Sequence, residues 1–181
     1  MIEHPTDAEL TVAIINSDLH AFRVLHKRYF EALFRFVCRR TSEETARDLI
    51  QDLFLRVWEM REKLDPHKPI KPFLYRLATN ISIDHFRKSR KEQNRVPLSF
   101  DNDIPIVAED NDLILTIRTA IEELPEPLRL TFELNRFEGI KYREIAEMLD
   151  VSVKTVESRM AKALKILNEK LKHILFSVLC I

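Results

Sequence analysis

The sequence predicts an all-α protein: two small helical domains joined by a flexible acidic linker, the second containing a helix-turn-helix. Three observations carry this. Glycine occurs once in 181 residues, whereas sandwiches and barrels need it at many tight turns. Apolar residues recur at three- and four-residue steps along most of the chain, the period of a helix with one buried face. Between residues 96 and 112 that period lapses, and Pro97 and Pro105 stand among acids. The expected domains are therefore residues 1–95 and 113–181, with 96–112 as the linker.

Charge supports the division. The 29 basic and 29 acidic side chains cancel, but they are not evenly spread. Arg87 to Arg95 holds five bases and one acid, Ser99 to Glu123 seven acids and one base, and Ser152 to Lys172 six bases and two acids. Two basic-ended blocks enclose an acidic middle, a distribution that permits nucleic-acid binding at zero net charge.

In the first block, Thr6 and Glu9 form a capping-box pattern for a short helix. Phe22, Leu25, Tyr29, Leu33 and Phe36 mark the buried face of a second helix. Ser42 caps a third, with Glu43 and Glu44 in its first turn, and Ala46, Leu49, Ile50, Leu53, Val57 and Met60 facing inward. Pro66, Pro69 and Pro72 are expected to stop any helix. A fourth starts at about Phe73 with Leu74, Leu77, Ala78 and Ile81 as its stripe. Its opposite face reads Arg76, Asn80, Asp84, Arg87, Lys91. Such a face can follow a phosphate backbone, Asn can bond a base edge, and Phe73, Tyr75 and Phe86 can stack on unpaired bases. The same pattern alone also describes a solvated charged face over an aromatic core.

In the second block, Leu113, Ile117, Ala120 and Ile121 form one stripe. Pro125 and Pro127 suit the start of a helix in which Leu130, Leu134 and Phe137 point inward. Gly139 follows as a left-handed terminator. The run Lys141 to Met160 then has the form of a helix-turn-helix. Ala146 is the small residue at the helix contact, and Asp150 tolerates the positive φ of the turn. Val151 plugs the turn and Ser152 caps the second helix, whose inward stripe is Val156, Met160, Leu164 and Leu167. The exposed face offers Glu157, Ser158, Ala161 and Lys162 to bases, with Lys154, Thr155 and Arg159 placed to hold phosphates.

Other classes fit poorly. One glycine cannot write a GxxxxGK[ST] or GxGxxG loop. The six histidines form no HExxH, and Cys38 and Cys180 form neither a CxxC site nor a disulfide framework. No catalytic residue, cofactor, metal or small-molecule substrate is expected. The first ten residues do not read as a signal peptide, and no apolar run reaches membrane-spanning length, so a cytoplasmic protein without membrane insertion is expected. An ordinary helix-turn-helix regulator would place an α/β receiver where this chain has helical periods. The apolar stretch from Ile174 to Ile181 finds no role in this reading.

These motifs, in this order and spacing, resemble the bacterial RNA polymerase sigma factors of the extracytoplasmic-function group over nearly the whole chain. Asp48 to Trp58 is similar to the family's core-binding helix in region two. The resemblance implies that Asp48, Gln51, Asp52, Leu55, Arg56 and Glu59 bind core polymerase. Phe73 to Asn80, with Asp84 and the basic run after it, looks like the −10 segment, which implies DNA roles for Lys71, Phe73, Arg76, Asn80, Asp84, Arg87, Lys88 and Lys91. Leu124 to Arg129 and the helix-turn-helix resemble region four, which assigns Lys154, Thr155, Glu157, Ser158, Arg159, Ala161 and Lys162 to the −35 element. The family often has Trp where Phe73 sits and Gly where Asp150 sits. The implied partners are core RNA polymerase, promoter DNA and an anti-sigma factor.

Overall fold

This computed structural model describes residues 5–92 and 111–179, with side chains for 5–87 and 114–172. The chain divides into two compact units, Met1–Asp103 and Ile104–Ile181. Every regular element among the described residues is helical. The acids at 101, 103, 109 and 110 lie outside the described residues.

In the first unit, α1 (Asp7–Ile15) opens with the expected capping box: the Thr6 amide donates to Glu9 Oε2 at 2.7 Å and the Glu9 amide to Thr6 Oγ1 at 3.3 Å. The bond from the Thr6 amide, and after it one from the Thr6 hydroxyl, holds the Glu9 carboxyl below its ordinary range. α2 (Leu19–Cys38) is capped by Asp18, which accepts from the amides of His20 and Ala21. Arg28 ties the two helices by donating to Asp7 and, at 2.6 Å, to the Pro5 carbonyl. Tyr29 also donates to Asp7, and burial together with that carboxylate raises its phenol. α3 (Glu43–Glu59) starts at the expected Ser42 cap, and a 3-10 turn at Arg61–Lys63 follows.

α4 (Ile70–Glu92) begins earlier than expected, with Pro72 inside its first turn. Proline is tolerated there because amides of the first turn have no intrahelical acceptor to lose.

α2 carries two inward stripes. Leu25, Leu33 and Phe36 are fully buried against α3 and α4, as the period predicts. One position later along the helix, half-buried Phe22, His26, Phe30 and Phe34 form an aromatic ladder. Phe22 meets Trp58 at 5.1 Å between ring centres, and His26 lies 4.4 Å from Phe54 and 5.1 Å from Phe30. Phe54 is buried although the period omitted it, because this second stripe covers it. Tyr75 is also fully buried, edge-on to Phe36 at 5.1 Å. The expected base-stacking role of Tyr75 is therefore corrected: its ring is core. Cys38 is a free, buried thiol, pushed up to about 11 chiefly by desolvation.

In the second unit, α5 (Asn111–Glu122) begins two residues inside the stretch read as linker. α6 (Glu126–Arg136), α7 (Tyr142–Leu149) and α8 (Val153–Leu179) follow. Ala120 and Leu124 close over Phe132, Met160, Ala163 and Leu167 to form the core. Three inward expectations are overturned: Ile117, Phe137 and Leu164 are 37%, 51% and 41% exposed. Each lies at the edge of its stripe, where the neighbouring helices do not reach, and Phe132 and Ala163 take the central places.

His26 gives the first unit a pH dependence. Desolvation depresses its folded-state pKa, so the unfolded chain takes up the proton first. Its stabilising contribution is complete above the unfolded value of about 6.5 and is lost as pH falls through the folded value. The urea midpoint of the His26→Phe variant should drop less between pH 7 and pH 5.5 than that of the parent; equal drops would place the sensitivity elsewhere.

Candidate nucleic-acid interface

The helix-turn-helix is built from backbone bonds that its sequence makes possible. Gly139, at φ 66°, turns the chain out of α6. Asn135 Nδ2 then donates to the Ile140 carbonyl at 3.0 Å, and the Lys141 amide donates to Glu144 Oε2 at 2.8 Å as α7 begins. α7 ends at Asp150, whose φ of 52° and ψ of 50° are left-handed. The Val151 amide reaches back to the Ala146 carbonyl at 3.0 Å, closing a Schellman turn. Ser152 Oγ accepts from the Thr155 amide at 3.0 Å and shares a 2.8 Å bond with the Thr155 hydroxyl. α8 thus starts two residues after the turn, its direction fixed.

Its rotation is fixed by burial of Val156, Met160, Ala163 and Leu167. Lys154, Glu157, Ser158, Ala161 and Lys162 consequently face solvent, while Thr155 and Arg159 are half-buried. An open concavity is lined by Ser152, Lys154, Thr155, Ser158, Arg159 and Lys162, with Leu128 of α6 as its far wall. All seven sequence-predicted residues of this helix therefore come together around one outward surface. Five of them are divided along it: Lys154, Thr155, Ser158, Arg159 and Lys162 on the concave side, leaving Glu157 and Ala161 on the other flank beside exposed Leu164.

In the first unit, Arg76, Asn80, Asp84 and Arg87 are exposed at helical spacing on α4. Lys71 and Phe73 are half-buried near its start, with Lys71 Nζ 5.9 Å from the centre of the Tyr75 ring. Lys88 and Lys91 belong to α4, and their side chains lie outside the described residues. The sequence reading missed Ile83, 41% exposed on the same helix; one apolar side chain among polar ones was the available signal. On α3, Asp48, Gln51, Leu55, Arg56 and Glu59 are exposed and Asp52 is half-buried. Arg56 pairs with Asp52 at 2.8 Å, and Leu55 is 63% exposed beside them.

Among the described residues, no three His, Cys, Asp or Glu side chains are grouped to hold a metal. No helix among them is long and apolar enough to cross a membrane.

Residues 25–92 match the Sigma-70 region 2 family, and residues 114–167 match the Sigma-70, region 4 family, together well over half of the chain. The chain belongs to the extracytoplasmic-function sigma factors. Along 97% of its length it is similar to the ECF RNA polymerase sigma-E factors of Haemophilus influenzae, at 25% identity, and Escherichia coli K12, at 26%. It covers 100% and 99% of those relatives. Two solved structures share the fold at a TM-score of 0.70 and 23% identity. One is CnrH in complex with the cytosolic domain of CnrY, matched over 92% of this chain and 97% of that one. The other is RpoE with the anti-sigma factor NepR from Bartonella quintana, matched over 83% and 96%. This sigma factor is a transcription initiation factor carrying sigma-70 regions 2 and 4.

The turn that aims α8 has a measurable strain. A left-handed non-glycine residue costs roughly 1–2 kcal/mol, less for Asp. Asp150→Gly should therefore raise the stability of the second unit by up to about 1 kcal/mol, and Asp150→Val should lower it. Ser152→Ala should cost about 1 kcal/mol through the lost cap. Thermal melts of the three variants check the order.

Proposed function

We propose that this sigma factor binds core RNA polymerase and carries it to one class of promoters in the cytoplasm. In this reading the first unit engages the polymerase and the −10 element, and the second unit reads the −35 element. The observation that carries it is the surface of α8: a left-handed turn and a serine cap present seven residues of suitable chemistry on one side of a helix. A helix entering the major groove offers bases and phosphates such a side. Run-off transcription with core polymerase on genomic DNA tests the whole reading. It should yield discrete start sites sharing upstream elements at two positions; scattered starts, or none, would reject it.

The exposed α3 face fits a polymerase contact, since a polar rim around one apolar centre, Leu55, is the anatomy of a protein interface. The neighbours CnrH and RpoE were each solved with a partner protein, in the second case an anti-sigma factor. An anti-sigma factor is accordingly the expected second partner of this chain.

On α4, Asn80 lies one turn from Arg76. The pair is suited to hold an unstacked base of the −10 element, with Arg87 following the backbone. Binding of this kind offsets the cost of melting the duplex.

Three residue-level outcomes follow from these roles. Asp52→Arg with Leu55→Ala should weaken core binding in a pull-down while the circular dichroism stays that of the parent. Asn80→Ala should lower permanganate reactivity at the −10 element without reducing protection at the −35 element. Lys154→Ala should weaken binding to all sequences alike and make the slope of log K against log salt shallower by about one.

A further inference from the structure

The outward side of α8 from Lys154 to Lys162 is cationic with one exception. Lys154, Arg159 and Lys162 are positive, and Glu157 is the one acid between them. Glu157 is exposed, and among the described residues it takes part in no hydrogen bond or ion pair. Its helical neighbours four residues away are Val153 and Ala161, and those three away are Met160 and Lys154. A pair with Lys154 is within helical reach, yet the two remain apart. The carboxylate also stands off the basic concavity, on the flank it shares with Ala161 and Leu164. The small Ala161 leaves its approach open on that side.

Brought against DNA, a carboxylate is repelled by the phosphates, so its presence on a reading surface needs a compensating bond. It can only accept hydrogen bonds. Base edges in the major groove offer two donors, the N4 amino group of cytosine and the N6 amino group of adenine. Adenine sets its N7 lone pair beside N6, against the second carboxylate oxygen. Guanine and thymine present only acceptors there, with a methyl group on thymine. Cytosine is the base whose own edge gives the carboxylate a donor without an adjacent acceptor. A carboxylate thus also rejects the wrong bases by repulsion, a source of specificity separate from attraction.

We propose that Glu157 is a specificity-determining residue that selects a cytosine within the −35 element by accepting a hydrogen bond from its N4 amino group. This rests on the reading of α8 as the −35 helix.

The test uses holoenzyme assembled from the full chain and core polymerase. Its template is a promoter mapped by run-off on genomic DNA, with its −35 region randomised, and transcripts are sequenced to rank the upstream bases. The parent should prefer cytosine at one position by about tenfold or more. Glu157→Ala should abolish the preference at that position and keep the ranking at the others. Glu157→Gln should move it toward adenine, which a carboxamide bonds at N6 and N7, and Glu157→Arg toward guanine. The proposal falls if Glu157→Ala changes no position, if the position it changes prefers guanine or thymine, or if it strengthens all sequences equally. In the last case the acid acts only by general repulsion. A parent selection with no enriched −35 base would instead overturn the reading of α8, and the proposal with it.

Discussion

Burial of one stripe of α8 governs what the second unit can present. Val156, Met160, Ala163 and Leu167 must leave water, and Phe132, Ala120 and Leu124 are the surfaces that receive the last three. A helix that buries one stripe has no remaining freedom to rotate about its axis. The opposite residues are therefore presented at set angles, with Ser158 near the middle, Thr155 and Arg159 on one flank and Glu157 and Ala161 on the other. The Schellman turn at Asp150 and Val151 adds the remaining constraint, the direction from which α8 starts.

The first unit applies the same constraint twice. α2 buries an aliphatic stripe ending in Phe36 and half-buries an aromatic ladder beside it. Together these occupy the inner sides of α3 and α4. What α3 has left is a polar surface with Leu55 at its centre, and what α4 has left is Arg76, Asn80, Asp84 and Arg87. The proposed polymerase and −10 surfaces are thus the complements of the core. Cations complete the aromatic ladder: Arg47 lies 5.5 Å from the centre of Phe34 and Arg61 4.8 Å from that of Trp58. Partly buried contacts of this kind are worth more than exposed ones. Arg61 also donates to Ser17 Oγ at 2.9 Å, so one side chain joins the end of α3 to the α1–α2 corner.

Electrostatics separates the two kinds of surface. On α3, the charge at the centre of the surface is neutralised locally by the Asp52–Arg56 pair, as suits a contact with protein. On α8, Lys154, Arg159 and Lys162 stand without acidic partners among the described residues, as suits a contact with phosphates. Further along α8 the pattern changes back: Lys165 lies 4.0 Å from Glu169, and Lys170 bonds Glu123 of α5. Three unpaired cations thus gather in the first three turns, where a helix enters a groove.

The sequence by itself determined the helices, their caps and the outward faces, because these depend on neighbours three or four positions away. The Thr6, Ser42 and Ser152 caps and the left-handed Asp150 are local matters of that kind, and so is the outward placement of Arg76 and Asn80 on α4 and of Ser158 and Lys162 on α8. Tertiary packing decided the rest. Whether Tyr75 is a stacking surface or core depended on Phe36, which lies 39 positions earlier in the chain. The burial of Phe54 depended on a second stripe of α2, and the exposure of Ile117, Phe137 and Leu164 on where neighbouring helices stop. A periodic pattern specifies the direction in which a side chain points, but only the partner helix decides whether anything is there to meet it.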